Sequence, residues 1–365
     1  MKFLDLKYDI FGLNVNGSSI KIVKLKNNGR GFALTSTNEQ GIEYDVIQDG
    51  VIEKEDVLAE AIKSSINSVV GKKIKTKYVV ASLPEEESFL QIIQMPKMTR
   101  DELATALPIE ASNYIPLPID DVYLDFEVLS PIKNYISHLE VLITAVPKKI
   151  VDSYVSCLKK AGLIPLAFEL ESAAIARAVI KNGNKTPTLI IDFGEEDTNL
   201  IIFSGSSVRF TSSIPIGSQL LTKAIADNLD INFKSAEELK KNYGLEGMGH
   251  GQKAEKLYDI ITPILIDLAN QITKYLNFYK DHSSYEYLLG NVGLNKVLFC
   301  GGGSELKGLV GFMQEKISLT VELGDPLINF SNKKVKKSVH EELLSSTAAI
   351  GLALKKIDSN FIGNQ

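Results

Sequence analysis

Tryptophan is absent from this 365-residue chain, which holds only two cysteines and four histidines. Cys157 and Cys300 stand far apart, each inside an apolar run, so two buried thiols in a reducing compartment are expected and no disulfide. His138, His250, His282 and His340 are scattered, which argues against a histidine-built metal centre and leaves them loop or surface roles. No run approaches the ~18 uncharged apolar residues of a membrane-crossing helix. At the N-terminus Asp5, Lys7 and Asp9 interrupt the apolar residues where a signal peptide needs an unbroken core. A soluble, cytoplasmic protein is expected. The net charge of −5 lacks the basic excess that duplex phosphates require, so no nucleic-acid partner is expected. Missing too are the G-x-x-x-x-G-K-[ST] loop, the G-x-S-x-G elbow and the H-E-x-x-H pair, which removes the commonest catalytic patterns.

What the chain does contain is one turn written twice. FGLNVNGSSIKIVKL, around Asn14 to Lys21, and LIIDFGEEDTNLIIF, around Asp192 to Asn199, are each an apolar strand, a small-polar or acidic tight turn and a second apolar strand. Such turns present backbone N–H groups to a phosphate. Their spacing divides the chain into two similar halves with a nucleotide expected between them. Alternation predicts a hairpin-rich sheet over Gly12–Leu25 and Phe32–Thr37, a helix over Asp56–Val70 and a strand over Tyr78–Leu83. A separate module is expected from Phe89 to Leu166. It comprises a strand, a helix opened by the capping box of Thr99 and Glu102, strands Tyr123–Ser130 and Glu140–Val146, and a helix Lys149–Gly162 closed by its glycine. Further helices are expected at Glu169–Ile180, Ser235–Tyr243, Leu257–Tyr279 and Glu341–Lys356. A buried strand, Lys296–Phe299, runs into Gly301, Gly302 and Gly303. Three residues without Cβ allow backbone to approach a flat ligand, and a helix opened by Ser304 would add partial positive charge. The lysine clusters at 71–77 and 333–337 are read as solvated loops.

In order along the chain these motifs resemble the actin-like ATPase superfamily of actin, sugar kinases and Hsp70 chaperones. NVNGSSIK is similar to the phosphate motif D-x-G-x-x-x-x-K, DFGEEDTN to D-x-G-x-x-T-[DT], and CGGGSELKGL to the adenosine motif. SAEELKKNYG resembles the A-E-x-x-K helix whose Glu and Lys, here Glu237 and Lys240, face ribose and base; ESAAIARAVI and STAAIGLAL resemble the two connecting helices. Within the superfamily, QMPKMTRDELATALPIEASNYIPLPIDDVYLDFEVL resembles the inserted segment of the PilM family of type IV pilus assembly proteins, relatives of FtsA. The resemblance covers nearly the whole chain. FtsA adds a C-terminal amphipathic membrane helix, which is not evident here.

The resemblance implies an α/β, actin-like (ribonuclease H-like, duplicated) two-domain fold with an inserted FtsA/PilM-type subdomain. The first domain would take 1–88 and 167–185, with a helix at 341–357 crossing back; the insertion 89–166; and the second domain 186–340, with a smaller subdomain at about 218–258. It implies ATP or ADP with Mg²⁺, held by Asn14, Asn16, Gly17, Ser18, Ser19 and Lys21 of the first turn and Asp192, Gly194, Glu195, Thr198 and Asn199 of the second. Gly217, Glu237, Lys240, Gly301, Gly302, Gly303 and Ser304 complete the set. Lys21 would serve the β and γ phosphates, and Asp192 would act on Mg²⁺ through its water. The implied partner is the N-terminal cytoplasmic peptide of a PilN-like protein, with PilO and the pilus motor and platform reached indirectly. The protein would lie peripheral to the inner face of the cytoplasmic membrane, meeting the membrane only through partners. The sequence departs from the motifs at Asn14, where the superfamily has Asp, at Asn16, where it has Gly, and at Asn199, where Asp or Thr is common. Asp-to-Asn exchange removes the charge that attracts Mg²⁺ or polarises water, so weak or absent hydrolysis is expected. Two alternatives of the same fold are a phosphotransferase or ATPase and an FtsA-like membrane-associated filament protein.

Overall fold

The computed structural model describes residues 8–27, 29, 31–43, 45–129, 138–247, 249, 251–282, 293–330, 343–355 and 357. The repeated turn is repeated architecture. In the first half β1 (Phe11–Val15) runs antiparallel to β2 (Ser19–Asn27), which pairs with β3 (Phe32–Gly41). A small hairpin, β4 (Ile47–Gln48) and β5 (Val51–Ile52), leads to α1 (Glu55–Asn67) and β6 (Val70–Gly71). On the other side of β1, β7 (Tyr78–Leu83) is parallel to it. Apolar side chains on both faces bury β1 completely, as a central strand requires.

Residues 89–147 leave this sheet. β8 (Phe89–Pro96), β9 (Val122–Val128) and β10 (His138–Pro147) form an antiparallel sheet in the order β8-β10-β9, so β9 is an edge. It packs on α2 (Arg100–Ala111) through Ile93, Leu103, Leu107 and Ile143. Both bonds of the Thr99–Glu102 capping box are formed. Two parts of the expected 89–166 module belong elsewhere. α3 (Lys148–Lys160) buries Tyr154, Cys157 and Leu158 in the core of the first half, and β11 (Ile164–Leu170) pairs parallel with β7 in the first sheet. The separate unit therefore ends near Pro147. Gly162 follows α3 with φ +78°, and the N–H groups of Gly162 and Leu163 close on the carbonyls of Lys159 and Leu158, the Schellman arrangement.

α4 (Glu171–Val179) crosses to the second half. There β12 (Thr188–Phe193), β13 (Thr198–Ser204) and β14 (Ser207–Ile214) are successively antiparallel. α5 (Ser218–Leu229), α6 (Phe233–Tyr243) and α7 (Gln252–His282) follow, then β15 (Lys296–Cys300), α8 (Leu309–Lys316) and β16 (Thr320–Leu323). The order β14-β13-β12-β15-β16, two antiparallel pairings then two parallel ones, repeats β3-β2-β1-β7-β11. The sequence reading has no helix at 218–229. α5 nonetheless buries Leu221 and Ile225 one turn apart, but its N-cap is Gly217, which supplies no side-chain signal.

α9 (Thr347–Ala353) returns to pack between α4 and β1. The approach is close: a Cβ on Gly351 would lie 1.8 Å from the Ala174 carbonyl oxygen. The other ends of the expected 341–356 helix, residues 341, 342 and 356, lie outside the described residues, as does the 333–337 lysine cluster. Val23, Ile175, Ile190, Ile201 and Ile350 form one core between the two halves, so the cleft rests on a packed floor. Cys157 and Cys300 are free and buried.

Candidate functional site

Strand pairing places Asn14 opposite Lys21 in the first half and Asp192 opposite Asn199 in the second. The two turns meet: a Cβ on Gly17 would lie 3.0 Å from the Glu196 carboxylate. Around them opens a cleft of about 1210 Å³. Of the residues singled out in the sequence, Asn14, Asn16, Lys21, Asp192, Gly194, Glu195, Glu237, Lys240 and Gly301 to Ser304 line it. Gly17, Ser18, Ser19, Thr198, Asn199 and Gly217 do not. Thr198 is buried with its hydroxyl donating to the Ile216 carbonyl at 2.5 Å, and Gly217 packs against the Glu195 carbonyl.

In the first turn the N–H groups of Ser18 and Ser19 are already engaged. Asn16 Oδ1 accepts from the N–H of Ser18 at 3.2 Å and of Ser19 at 2.8 Å, and from both hydroxyls at 3.3 and 3.1 Å. Its carbonyl oxygen therefore sits in a cradle of four donors, the surroundings a phosphate oxygen would seek. Asn14 Nδ2 donates to Ser82 Oγ at 3.0 Å and to Glu171 Oε1.

Glu171 is the main residue the sequence reading passed over. ESAAIARAVI resembles a connecting helix, yet its first residue lines the cleft. Desolvation, helped by the charges of Glu86 and Asp192, pushes the Glu171 carboxyl up to about 8. Desolvation also raises Asp192 to about 6, with the Lys21 ammonium working against it. Asp197 is raised by burial and by its hydrogen bond to Glu86, which comes from the acidic segment after β7. Carboxylates from three chain segments thus converge on the turns, which local pattern does not reveal. Lys21 is the basic residue placed among them, 3.7 Å from Glu39.

On the opposite wall, α6 begins with Asn232 accepting the Ser235 N–H at 2.9 Å. Lys240 Nζ donates to Glu237 at 2.7 Å, to Thr222 Oγ1 at 2.7 Å and to the Ser218 carbonyl at 3.0 Å, which locks the pair in place. Phe233, on the same helix face, lines the cleft while 46% exposed. Two of the three glycines that line the cleft also serve packing. A Cβ on Gly301 would lie 2.4 Å from Asp192 Oδ1, and one on Gly303 2.7 Å from the Phe193 ring, so both are needed for packing on β12. Only Gly302 offers its open face. Ser304 opens no α-helix: it lies in a single 3₁₀ turn, Gly302–Glu305, and its hydroxyl donates back to the Cys300 carbonyl at 2.5 Å. The next α-helix starts at Leu309.

These groups suit a triphosphate only when a cation accompanies it. At the turns a bare polyanion would face Asp192, Glu195 and Glu196 with Lys21 beside them, whereas a divalent cation turns those carboxylates into favourable neighbours. Asp192, which lines the cleft, is the carboxylate that would hold such an ion through water. No cluster of three or more His, Cys, Asp or Glu with metal-binding geometry exists among the described residues.

A second opening of about 570 Å³ lies beside the inserted sheet. Tyr123 to Glu127 of the β9 edge form one wall; Phe168, Arg177, Lys355 and Ser206 to Val208 contribute the others. Arg177 grips Glu169 with two bonds of 2.6 and 2.7 Å, and Lys355 joins them. Those partners hold the Glu169 carboxyl below its ordinary range although burial opposes them. No helix among the described residues is long and apolar enough to cross a membrane.

Comparison with known proteins agrees with this architecture. Cell division protein FtsA of Enterococcus hirae is 25% identical over 349 residues, covering 86% of this chain and 78% of FtsA. The solved PilM-PilN type IV pilus biogenesis complex superposes with a TM-score of 0.79 at 25% identity, over 95% of this chain and 98% of the matched one. MreB5 of Spiroplasma citri bound to ADP, at 14% identity and TM-score 0.53 over 92% and 98% of the two chains, shares the fold alone. The profile described as type IV pilus assembly protein PilM matches residues 12–357, and the chain belongs to that family, with the actin-like fold.

Proposed function

We propose that this protein is a nucleotide-holding scaffold of the type IV pilus assembly platform. ATP with Mg²⁺ would occupy the cleft between the halves, and the N-terminal cytoplasmic peptide of a PilN-like protein the groove beside β9. The observation that carries the nucleotide reading is the convergence of both turns, the Glu237–Lys240 pair and Gly302 on one cleft. The structural neighbour bound to ADP supports it at the level of the fold. The peptide reading is supported by the solved PilM-PilN complex and by the groove itself. Among the described strands β9 is paired on one side only, so an extended peptide can add to its other edge by main-chain hydrogen bonds while apolar side chains enter between Leu124, Phe126 and Phe168. Through that peptide the protein would sit at the inner face of the cytoplasmic membrane, with PilO and the motor reached indirectly.

Slow or absent hydrolysis is part of the proposal. Asn14 carries no charge, and the Glu171 carboxyl it holds is mostly protonated at neutral pH, a poor state for a general base. A second reading, an actin-like ATPase, draws on the same Glu171, because it stands in the cleft near Asp192. Calorimetry with Mg·ATP and a synthetic N-terminal peptide of a PilN-like protein from the same organism tests the first reading. Binding of both is expected; failure of the peptide to bind, with or without nucleotide, would sink it. Steady turnover of ATP that vanishes in Glu171→Gln would favour the second.

A further inference from the structure

Three side chains on one face of β14 reach three different parts of the molecule. Ser213 Oγ donates to Asp197 Oδ2 at 3.3 Å, in the second turn. Thr211 hydrogen-bonds Glu85 in the segment after β7, and Glu85 also accepts the Ser172 N–H at 3.2 Å at the head of α4. Arg209 donates to Glu140 of β10 at 2.9 Å, the two side chains being 1% and 2% exposed, and to the Ser204 carbonyl at 3.1 Å. Thr211 and Ser213 share a face by simple alternation. Arg209 shares that face by the same alternation, and the ladder bulges beside it, with Ile202 opposite Phe210 and Phe203 opposite Val208.

The outer two contacts end on the proposed sites. The input, Asp197, lies in the turn of the nucleotide cleft. The output, Glu140, is on the central strand of the inserted sheet, which pairs directly with the groove strand: Leu142 lies opposite Glu127 and Ile143 opposite Phe126. The buried ion pair between them cannot slide without leaving a charge uncompensated, so β14 and β10 move together. Val208 of the same strand also lines the groove. Resting on the proposed nucleotide and peptide sites, we infer that β14 is the element that transmits occupancy of the second turn to the peptide groove, entering at Ser213 and leaving through the Arg209–Glu140 joint. Arg209, Thr211 and Ser213 touch neither ligand; they are positioning residues.

The test is the coupling factor, the ratio of peptide Kd without and with saturating Mg·ATP, measured by calorimetry on the full chain. Coupling of about fivefold or more is expected in the wild type, the usual lower range for linked sites. Ser213→Ala and Thr211→Val are expected to keep each single-ligand affinity within about twofold while the factor falls towards one. Glu140→Gln should do the same, and if it fails to fold the first two variants still decide. A wild-type factor of one, with both ligands bound, would overturn the relay alone. Unchanged coupling in Ser213→Ala and Thr211→Val would overturn it too. Failure of the wild type to bind one of the ligands would instead strike the proposed function, and the relay with it.

Discussion

Replacing Asn16 by glycine, the residue the superfamily motif carries there, acts on the point where the first turn has closed upon itself. In the wild type, a phosphate oxygen that seeks the Ser18 and Ser19 N–H groups must first displace Asn16 Oδ1, which already accepts from both. A net intramolecular hydrogen bond is worth about 1 kcal/mol, so releasing two main-chain donors costs a ligand about 2 kcal/mol. Removing the competitor would then tighten Mg·ATP binding roughly 30-fold. Glycine leaves the ligand-free turn looser, and that entropy returns about 0.5–1 kcal/mol, which brings the expected gain to between about 5- and 15-fold. Titration calorimetry of wild type and Asn16→Gly under identical Mg²⁺ and salt reads it directly. The ligand-free variant should also melt a few degrees lower, because the four bonds to Asn16 are gone. Equal or weaker ATP binding would refute the reasoning: Asn16 would then be a ligand contact, or the first turn would not meet phosphate.

Three other perturbations carry separate expectations. Glu171, at about 8, Asp192, at about 6, and Asp197, raised as well, bind protons more tightly folded than unfolded. The folded state therefore holds more protons than the unfolded one from about pH 4 upward, so the melting temperature of the ligand-free protein should fall as pH rises from about 5 to about 8. A flat or rising profile contradicts the acidic cluster. Phe233→Ala removes an exposed ring from the cleft wall and should weaken ATP by about 1 kcal/mol, roughly fivefold, with inorganic triphosphate unaffected; equal loss for both ligands would show that the ring does not meet the base. Gly351→Val places side-chain atoms on the Ala174 carbonyl and should cost at least about 1–3 kcal/mol in chemical denaturation, while a near-neutral result would mean that α9 does not cross α4 so closely.

The duplication was legible because it is local: each turn is a contiguous run whose alternation and small residues dictate strand, turn, strand. The capping box at Thr99 and Glu102 and the glycine after α3 were legible for the same reason. Sheet membership was not. Nothing in Ile164–Leu170 says that it pairs with β7 and so leaves the inserted unit, because strand pairing is a long-range property. α5 escaped because Gly217 gives no capping signal. In the cleft, twelve of the singled-out residues came together as the motifs implied, but the roles shifted. Gly301 and Gly303 serve packing, Ser304 bonds backwards, and Asn16, recognised only as a departure, fills the cradle that its motif keeps open. The convergence of Glu171, Glu86 and Asp197 depends on tertiary approach, and so does the Arg209–Glu140 pair.

The most direct test of the account is a crystal structure of the full chain grown with Mg²⁺, a non-hydrolysable ATP analogue and the PilN-type peptide. The account predicts phosphates between the turns of Asn16 and Gly194, the base against α6 and Gly302, and the peptide running as a strand along the free edge of β9. Nucleotide bound elsewhere, or a peptide seated on any other surface, would contradict it.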